Sequence, residues 1–128
     1  MLRRVPITIL IVDDQDEVRL LLRRIIEVAG RDLQTVGEAA TAAEGVRLAA
    51  QLEPDVIVLD ERMPDMEGVQ AARQIRERRP DQRIILCSAY VDRELDRRAT
   101  AAGISACVNK SGLRAIPDTI RRVAEPGV

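Results

Sequence analysis

Five short apolar runs, each closed by a polar residue and followed by a segment of helical period, constrain this chain more than any other feature of its sequence. The clearest is Val56 to Leu59, wholly apolar and rich in β-branched residues, with Asp60 where it ends. Such a run reads as a central strand buried on both faces of a parallel sheet. Ile7 to Val12 is of the same kind and ends in Asp13-Asp14, Arg83 to Cys87 ends in Ser88, and Ile104 to Val108 runs into Asn109-Lys110. Leu33 to Gly37 is more polar and is expected near a sheet edge.

Between these runs lie the helices. From Asp16, Val18, Leu21, Leu22, Ile25 and Ala29 recur at helical spacing while Arg19, Arg23, Arg24 and Glu27 take the other face, and Gly30 stops the helix. Ala42 to Gln51 turns Val46, Ala49 and Ala50 inward, with Thr41 as N-cap and Glu44 at the third position of a capping box. Val69 to Arg79 buries Ala72 and Ile75 and ends at Pro80; Asp92 to Ala102 is polar and stops at Gly103, placed for a left-handed C-cap. The last helix starts near Pro117, which suits a first helical turn, with Leu113 packing from the preceding turn. Five βα units in one chain imply a doubly wound α/β sandwich around a parallel sheet.

At 128 residues the chain is a single domain, with a core over about 7–124 and residues 125–128 as a terminus or the start of a linker. Twenty basic and 21 acidic side chains leave a net charge of −1, so no bulk field draws the whole chain to nucleic acid or an anionic membrane. No run approaches a membrane span, and the Arg3-Arg4 start leads into an apolar stretch closed by two aspartates, unlike a signal peptide. A cytoplasmic location is expected. Cys87 and Cys107 fall inside apolar strands and are expected to be free thiols. Histidine is absent, which excludes Ser-His catalysis, histidine metal sites and any role as phosphohistidine donor; a metal would have to be held by oxygen. Tyr90 is the single aromatic residue, so stacking platforms for single-stranded nucleic acid cannot be built.

In a parallel sheet the carboxyl ends of the strands share one edge, which is where ligands bind in open α/β folds. Asp13, Asp14, Asp60, Ser88 and Lys110 all stand at such ends. Taken singly, each could be a helix cap or a solvated charge; together they form a site. Three gathered carboxylates repel one another, and the natural relief is a hard divalent cation bound by oxygen, Mg²⁺ in the first place, with Mn²⁺ able to substitute. Lys110 offers a point charge and Ser88 a hydroxyl to phosphoryl oxygens, and the central Asp60 would attack phosphorus.

Asp13-Asp14, the Asp60-x-x-Met63-Pro64-x-x-x-Gly68 segment, Ser88-Ala89 and Lys110, in this order and spacing, resemble the response-regulator receiver domain of two-component signalling over roughly Ile7 to Ala124. The resemblance implies a flavodoxin-like (βα)5 fold of strand order 2-1-3-4-5. It implies phosphoryl transfer to Asp60 from a histidine of a sensor kinase or histidine phosphotransfer protein, and slow self-catalysed hydrolysis of the acyl phosphate. Mg²⁺ would be ligated by Asp14, Asp60 and the Arg62 backbone carbonyl, with Asp13 acting mainly through water. The surface of helix 4, strand 5 and helix 5 would be the dimer or output face. The Lys110-Ser111 junction looks like the branch that precedes a helix-turn-helix output domain, although no such element lies within this chain and direct DNA binding by it is not expected.

Two departures bear on signalling. The position where many receivers carry a switching aromatic is Cys107, which leaves Tyr90 as the one ring that could gate the site or take part in the switch. Arg62 and Tyr90 occupy the positions flanking the path of the attacking water, and their bulk is expected to alter the lifetime of the phosphorylated state. A rival reading is a haloacid-dehalogenase-type phosphatase, which also uses a strand-end aspartate, a hydroxyl, a lysine and Mg²⁺. It would need a second aspartate where Arg62 stands. A third is a phosphorylation-independent receiver acting as a binding module.

Overall fold

The computed structural model describes residues 5–125. Of the expected terminus or linker over residues 125–128, only Glu125 is described; the rest of it and the basic lead Arg3-Arg4 lie outside the described residues. Strands β1 (Ile7–Val12), β2 (Leu33–Ala39), β3 (Val56–Asp60), β4 (Arg83–Ser88) and β5 (Ala106–Asn109) alternate with helices α1 (Asp16–Ala29), α2 (Ala42–Leu52), α3 (Gly68–Arg78), α4 (Arg93–Ala101) and α5 (Ile116–Ala124). All four pairings are parallel, and the sheet runs β2-β1-β3-β4-β5. This is the flavodoxin-like order.

The strands are apolar throughout because both faces are covered. Leu10, Val12, Ile57, Leu59, Ile84 and Leu86 point into the layer of α2, α3 and α4. Their neighbours Ile9, Ile11, Val56, Val58, Ile85 and Cys87 meet Leu22 and Ile26 of α1 and Ile116, Ile120 and Val123 of α5. Side chains alternate along a strand, so each half of a run feeds one of the two cores. At roughly 1.5–3 kcal/mol per fully buried aliphatic side chain, these two layers dominate the stabilisation.

The edge position of β2 accords with its polar sequence. Thr41 caps α2 as expected, its Oγ1 accepting from the Glu44 N–H at 3.1 Å, while the Glu44 carboxylate turns to Arg47 (3.4 Å). Asp65 adds a second cap from outside the helix, accepting from the amides of Ala42 (3.0 Å) and Ala43 (2.9 Å). Gly103 follows α4 with φ +79° and its N–H bonded to the Thr100 carbonyl, the left-handed stop anticipated for it.

Three local expectations need correction. Leu21 is half exposed and Ile26 takes its place, because the inward stripe of α1 runs through Val18, Leu22, Ile25 and Ile26. Ala50 is exposed, since α2 turns Ala42, Gly45 and Ala49 to the sheet. Strand β5 begins at Ala106 rather than Ile104, because the chain after Gly103 is still satisfying α4: the Ile104 N–H donates to Ala99 O at 2.9 Å. The final helix starts one residue before Pro117, after a 3-10 turn over Lys110–Ala115 that buries Leu113.

Candidate functional site at the carboxyl edge of the sheet

Alternation along the strands places the chemistry. Asp60 continues the face of Val56 and Val58, Asp13 that of Ile9 and Ile11, and Lys110 that of Ala106 and Val108, so all three project to the α1/α5 side of the edge. There Lys110 Nζ, belonging to the single lysine of the chain, stands 3.1 Å from Asp60 Oδ1 and 3.2 Å from Asp13 Oδ2. Asp13 and Asp60 are buried and Asp14 is exposed, yet one carboxylate oxygen of each lies within 4.8 Å of the others.

Local bonds fix these groups. Asp13 Oδ1 accepts from the Gln15 N–H at 2.9 Å, the turn that starts α1, and the Asp13 carbonyl accepts from Arg19 at 2.7 Å. Asp60 Oδ1 receives the Arg62 N–H at 3.4 Å. Gly68 lets the returning chain lie on β3: a Cβ there would stand 2.4 Å from the Asp60 carbonyl oxygen and 2.9 Å from Glu61 Cα.

Burial, and then the Asp13 charge, push the Asp60 carboxyl up to about 6, with Lys110 pulling partly back. Burial draws the Lys110 ammonium down, but its hydrogen bond to Asp60 and the two neighbouring carboxylates outweigh this and leave its pKa above that of an ordinary lysine. Three carboxylates therefore face one paired ammonium. The donor set is all oxygen, one member opens to solvent, and the surplus negative charge fits a hard divalent cation.

Ser88 ends β4 on the opposite parity. Its hydroxyl donates to the Tyr90 carbonyl and accepts from the Tyr90 N–H, both at 3.1 Å. With Glu61, Arg62, Tyr90, Leu95 and Arg98 it borders a cavity of about 300 Å³ between the edge and α4. Tyr90 is 80% exposed. Cys107 lies on β5 against the α2–α4 core, paired in register with Leu86, and both cysteines are free.

The model for the response regulator receiver domain matches residues 9–121. The chain belongs to this family. LiaR of Bacillus subtilis, a transcriptional regulatory protein, is 36% identical over 120 residues, which are 93% of this chain and 56% of LiaR. The chain thus spans about half the length of the curated relatives it matches. Among solved structures, a LuxR-family two-component response regulator from Aurantimonas sp. SI85-9A1 superposes with a TM-score of 0.88 at 32% identity, covering 93% of this chain and 85% of that one. The CheX-CheY-BeF3-Mg²⁺ complex from Borrelia burgdorferi contains a chain with a TM-score of 0.84 at 26% identity, covering 91% and 87%. Neither the dehalogenase-type phosphatase nor the phosphorylation-independent module is favoured beside a receiver match of this extent. No helix among the described residues is long and apolar enough to cross a membrane.

Two residues of this receiver domain escape a reading of its sequence. Glu61, between Asp60 and Arg62, reads as a solvated charge after a strand, but it is buried, accepting from the Val69 N–H at 2.9 Å. Burial raises its pKa above the ordinary carboxylate value. Arg98 of α4 pairs with it at 3.9 Å and also with Glu67. No spacing signal pointed to this contact, since it joins a loop to a helix some three dozen residues away.

Proposed function

We propose that this chain is the phosphoacceptor of a two-component signalling pair, taking a phosphoryl group on Asp60 from the phosphohistidine of a sensor kinase or histidine phosphotransfer protein. The observation that carries this is the position of Lys110 Nζ between Asp60 and Asp13, with Asp14 completing an acidic cluster at the edge. A carboxylate with an ammonium beside it and an opening to solvent is poised to attack phosphorus while the charge on the transferring oxygens is neutralised.

Asp60 Oδ forms the new P–O bond as the P–N bond to the donor imidazole breaks, and the leaving imidazole takes its proton from solvent. Asp14, Asp60 and the Arg62 carbonyl would hold Mg²⁺ (or Mn²⁺) directly and Asp13 through water. When bound, the ion neutralises phosphoryl oxygens in a loose transition state. Lys110 keeps its charge throughout, and its ammonium can follow one oxygen of the transferred group. The Ser88 hydroxyl, released from Tyr90, can donate to another. Loss of the phosphoryl group by hydrolysis resets the site, with Arg62 and Tyr90 bordering the approach of water.

Because LiaR is a transcriptional regulatory protein nearly twice as long as the matched segment, the outcome of phosphorylation is proposed to be control of a transcription-regulating partner or output domain. The face of α4, β5 and α5 would carry that signal or a homodimer.

Incubation with acetyl phosphate and Mg²⁺ followed by intact mass tests the reading. The wild type should gain the mass of one phosphoryl group, and Asp60→Asn should gain none. Labelling of Asp60→Asn to the same extent, or continuous turnover of a generic phosphate ester, would overturn it.

A further inference from the structure

The loop leaving Asp60 carries a second buried carboxylate that phosphoryl capture does not use. Glu61 is tied on every side: its N–H donates to Cys87 O of β4 (2.9 Å), its carbonyl accepts from Gly68 N of α3 (2.8 Å), and its Oε1 accepts from Val69 N (2.9 Å). The remaining oxygen, Oε2, faces Nη1 of Arg98 on α4 at 3.9 Å, and the other end of that guanidinium is bonded to Glu67. A carboxylate buried to this degree is costly unless it has such partners. The contact therefore joins the residue after Asp60 to the helix on the far side of the 300 Å³ cavity.

Besides the packing of Leu95 and Ala99 into the core, two polar connections border this cavity at α4. At its entry, Ser88 binds the backbone of Tyr90, two residues before the Asp92 N-cap. Along its body, Arg98 reaches Glu61 and Glu67. When Ser88 turns to a phosphoryl oxygen on Asp60, the first connection is given up, and the Arg98 ion pairs remain to resist displacement of α4 alongside the packing of Leu95 and Ala99. Position 107, across the helix on β5, holds a cysteine and no ring that could perform this task.

We propose that Glu61 and Arg98 form a resting-state latch in which Glu61, a positioning residue, ties the phosphoacceptor loop to α4. Phosphorylation is transmitted to the outer face by release of this ion pair. The inference rests on the phosphoacceptor role of Asp60. Coupling between two sites is reciprocal in free energy, so a latch that stabilises the resting arrangement disfavours the phosphorylated one; with capture proceeding through the released arrangement, weakening the latch speeds it.

The test uses the intact chain with acetyl phosphate and Mg²⁺, following the labelling rate by intact mass and amide exchange across 93–101 before and after labelling. Arg98→Met keeps the packed stem and removes both ion pairs. It should label roughly fivefold faster, at the low end of ordinary coupling, and its unlabelled α4 should exchange like that of the labelled wild type. Glu61→Gln retains the acceptor for Val69 and should shift both readouts in the same direction. Arg98→Lys, with a point charge in place of the fork, should fall between and serves if the methionine variant does not fold. Glu67→Gln, which removes only the exposed partner and leaves the buried pair, should accelerate labelling less than Glu61→Gln. A merely structural contact would loosen α4 without accelerating labelling. Unchanged or slower labelling in Arg98→Met, Arg98→Lys and Glu61→Gln overturns the latch while leaving Asp60 as acceptor; a wild type that takes up no phosphoryl group overturns both.

Discussion

Lys110 reaches Asp60 across an intervening strand: its Nζ lies 3.1 Å from Asp60 Oδ1 although β4 separates their two strands in the sheet. The ammonium is what allows the buried Asp13 and Asp60 to approach each other. Lys110→Met should leave two buried carboxylates unpaired and slow labelling by acetyl phosphate on the order of a hundredfold, the size of loss that follows removal of one preorganised charge stabiliser. Lys110→Arg should not restore the rate, since a planar fork cannot occupy the place of a compact ammonium. Single-time-point mass spectra across a dilution series of acetyl phosphate would check both.

The raised Asp60 carboxyl sets a pH dependence of stability. Its folded value of about 6 lies above the ordinary 3.8, so its contribution is fully present below about pH 4 and is lost as pH rises through about 6. Above that, ionised Asp60 costs the metal-free protein on the order of 2 to 3 kcal/mol relative to its protonated form. Asp60→Asn should therefore gain most on the wild type above pH 6 and progressively less toward pH 4, read from urea midpoints in chelator. Mg²⁺ at neutral pH should stabilise the wild type by roughly 2.7 kcal/mol at a hundredfold excess over Kd and barely move the midpoint of Asp60→Asn.

Gly68 has no room for a methyl group. Its Cβ would meet the Asp60 carbonyl oxygen at 2.4 Å and Leu86 Cδ1 at 2.8 Å, and the first of these is backbone that cannot turn aside. Gly68→Ala should destabilise the fold by about 1–3 kcal/mol and, by shifting the loop after Asp60, lower the labelling rate as well. A denaturation midpoint equal to that of the wild type would refute the close approach.

Tyr90 is exposed, so Tyr90→Ala should leave stability within about 0.5 kcal/mol. Tyr90 borders the cavity shared with Ser88 and Arg62, next to the loop that leaves Asp60, and its removal is expected to ease the approach of water. The acyl phosphate should then be lost faster, which a time course of mass after removal of acetyl phosphate would reveal. Phosphorylation kinetics and partner binding equal to the wild type would strip Tyr90 of any gating role.

Much of this architecture is legible in the sequence because strand burial writes itself as unbroken apolar runs. A strand covered on both faces has no polar positions to blur its ends, so Val56 to Leu59 and Ile7 to Val12 announce both themselves and the carboxylates that follow. Helix faces are less clear. In α1 the run Leu20-Leu21-Leu22 offers three leucines for one inward place, and only the packing of Leu22 and Ile26 against β1 and β3 decides among them. The apolar run from Ile104 does not mark the start of β5, because Ile104 is apolar for another reason, covering the end of α4.

By itself the sequence determined the alternation of strands and helices, the doubly wound class and the set of strand-end residues Asp13, Asp14, Asp60, Ser88 and Lys110, since each of these follows from local composition and from the common edge of a parallel sheet. Only the tertiary structure decided that Lys110 lies between two buried aspartates, that Ser88 is held by Tyr90, and that Glu61 is buried against Arg98. These depend on which strands become neighbours and on where α4 comes to rest. Distances between side chains dozens of residues apart are set by packing, and no local pattern of residues encodes them.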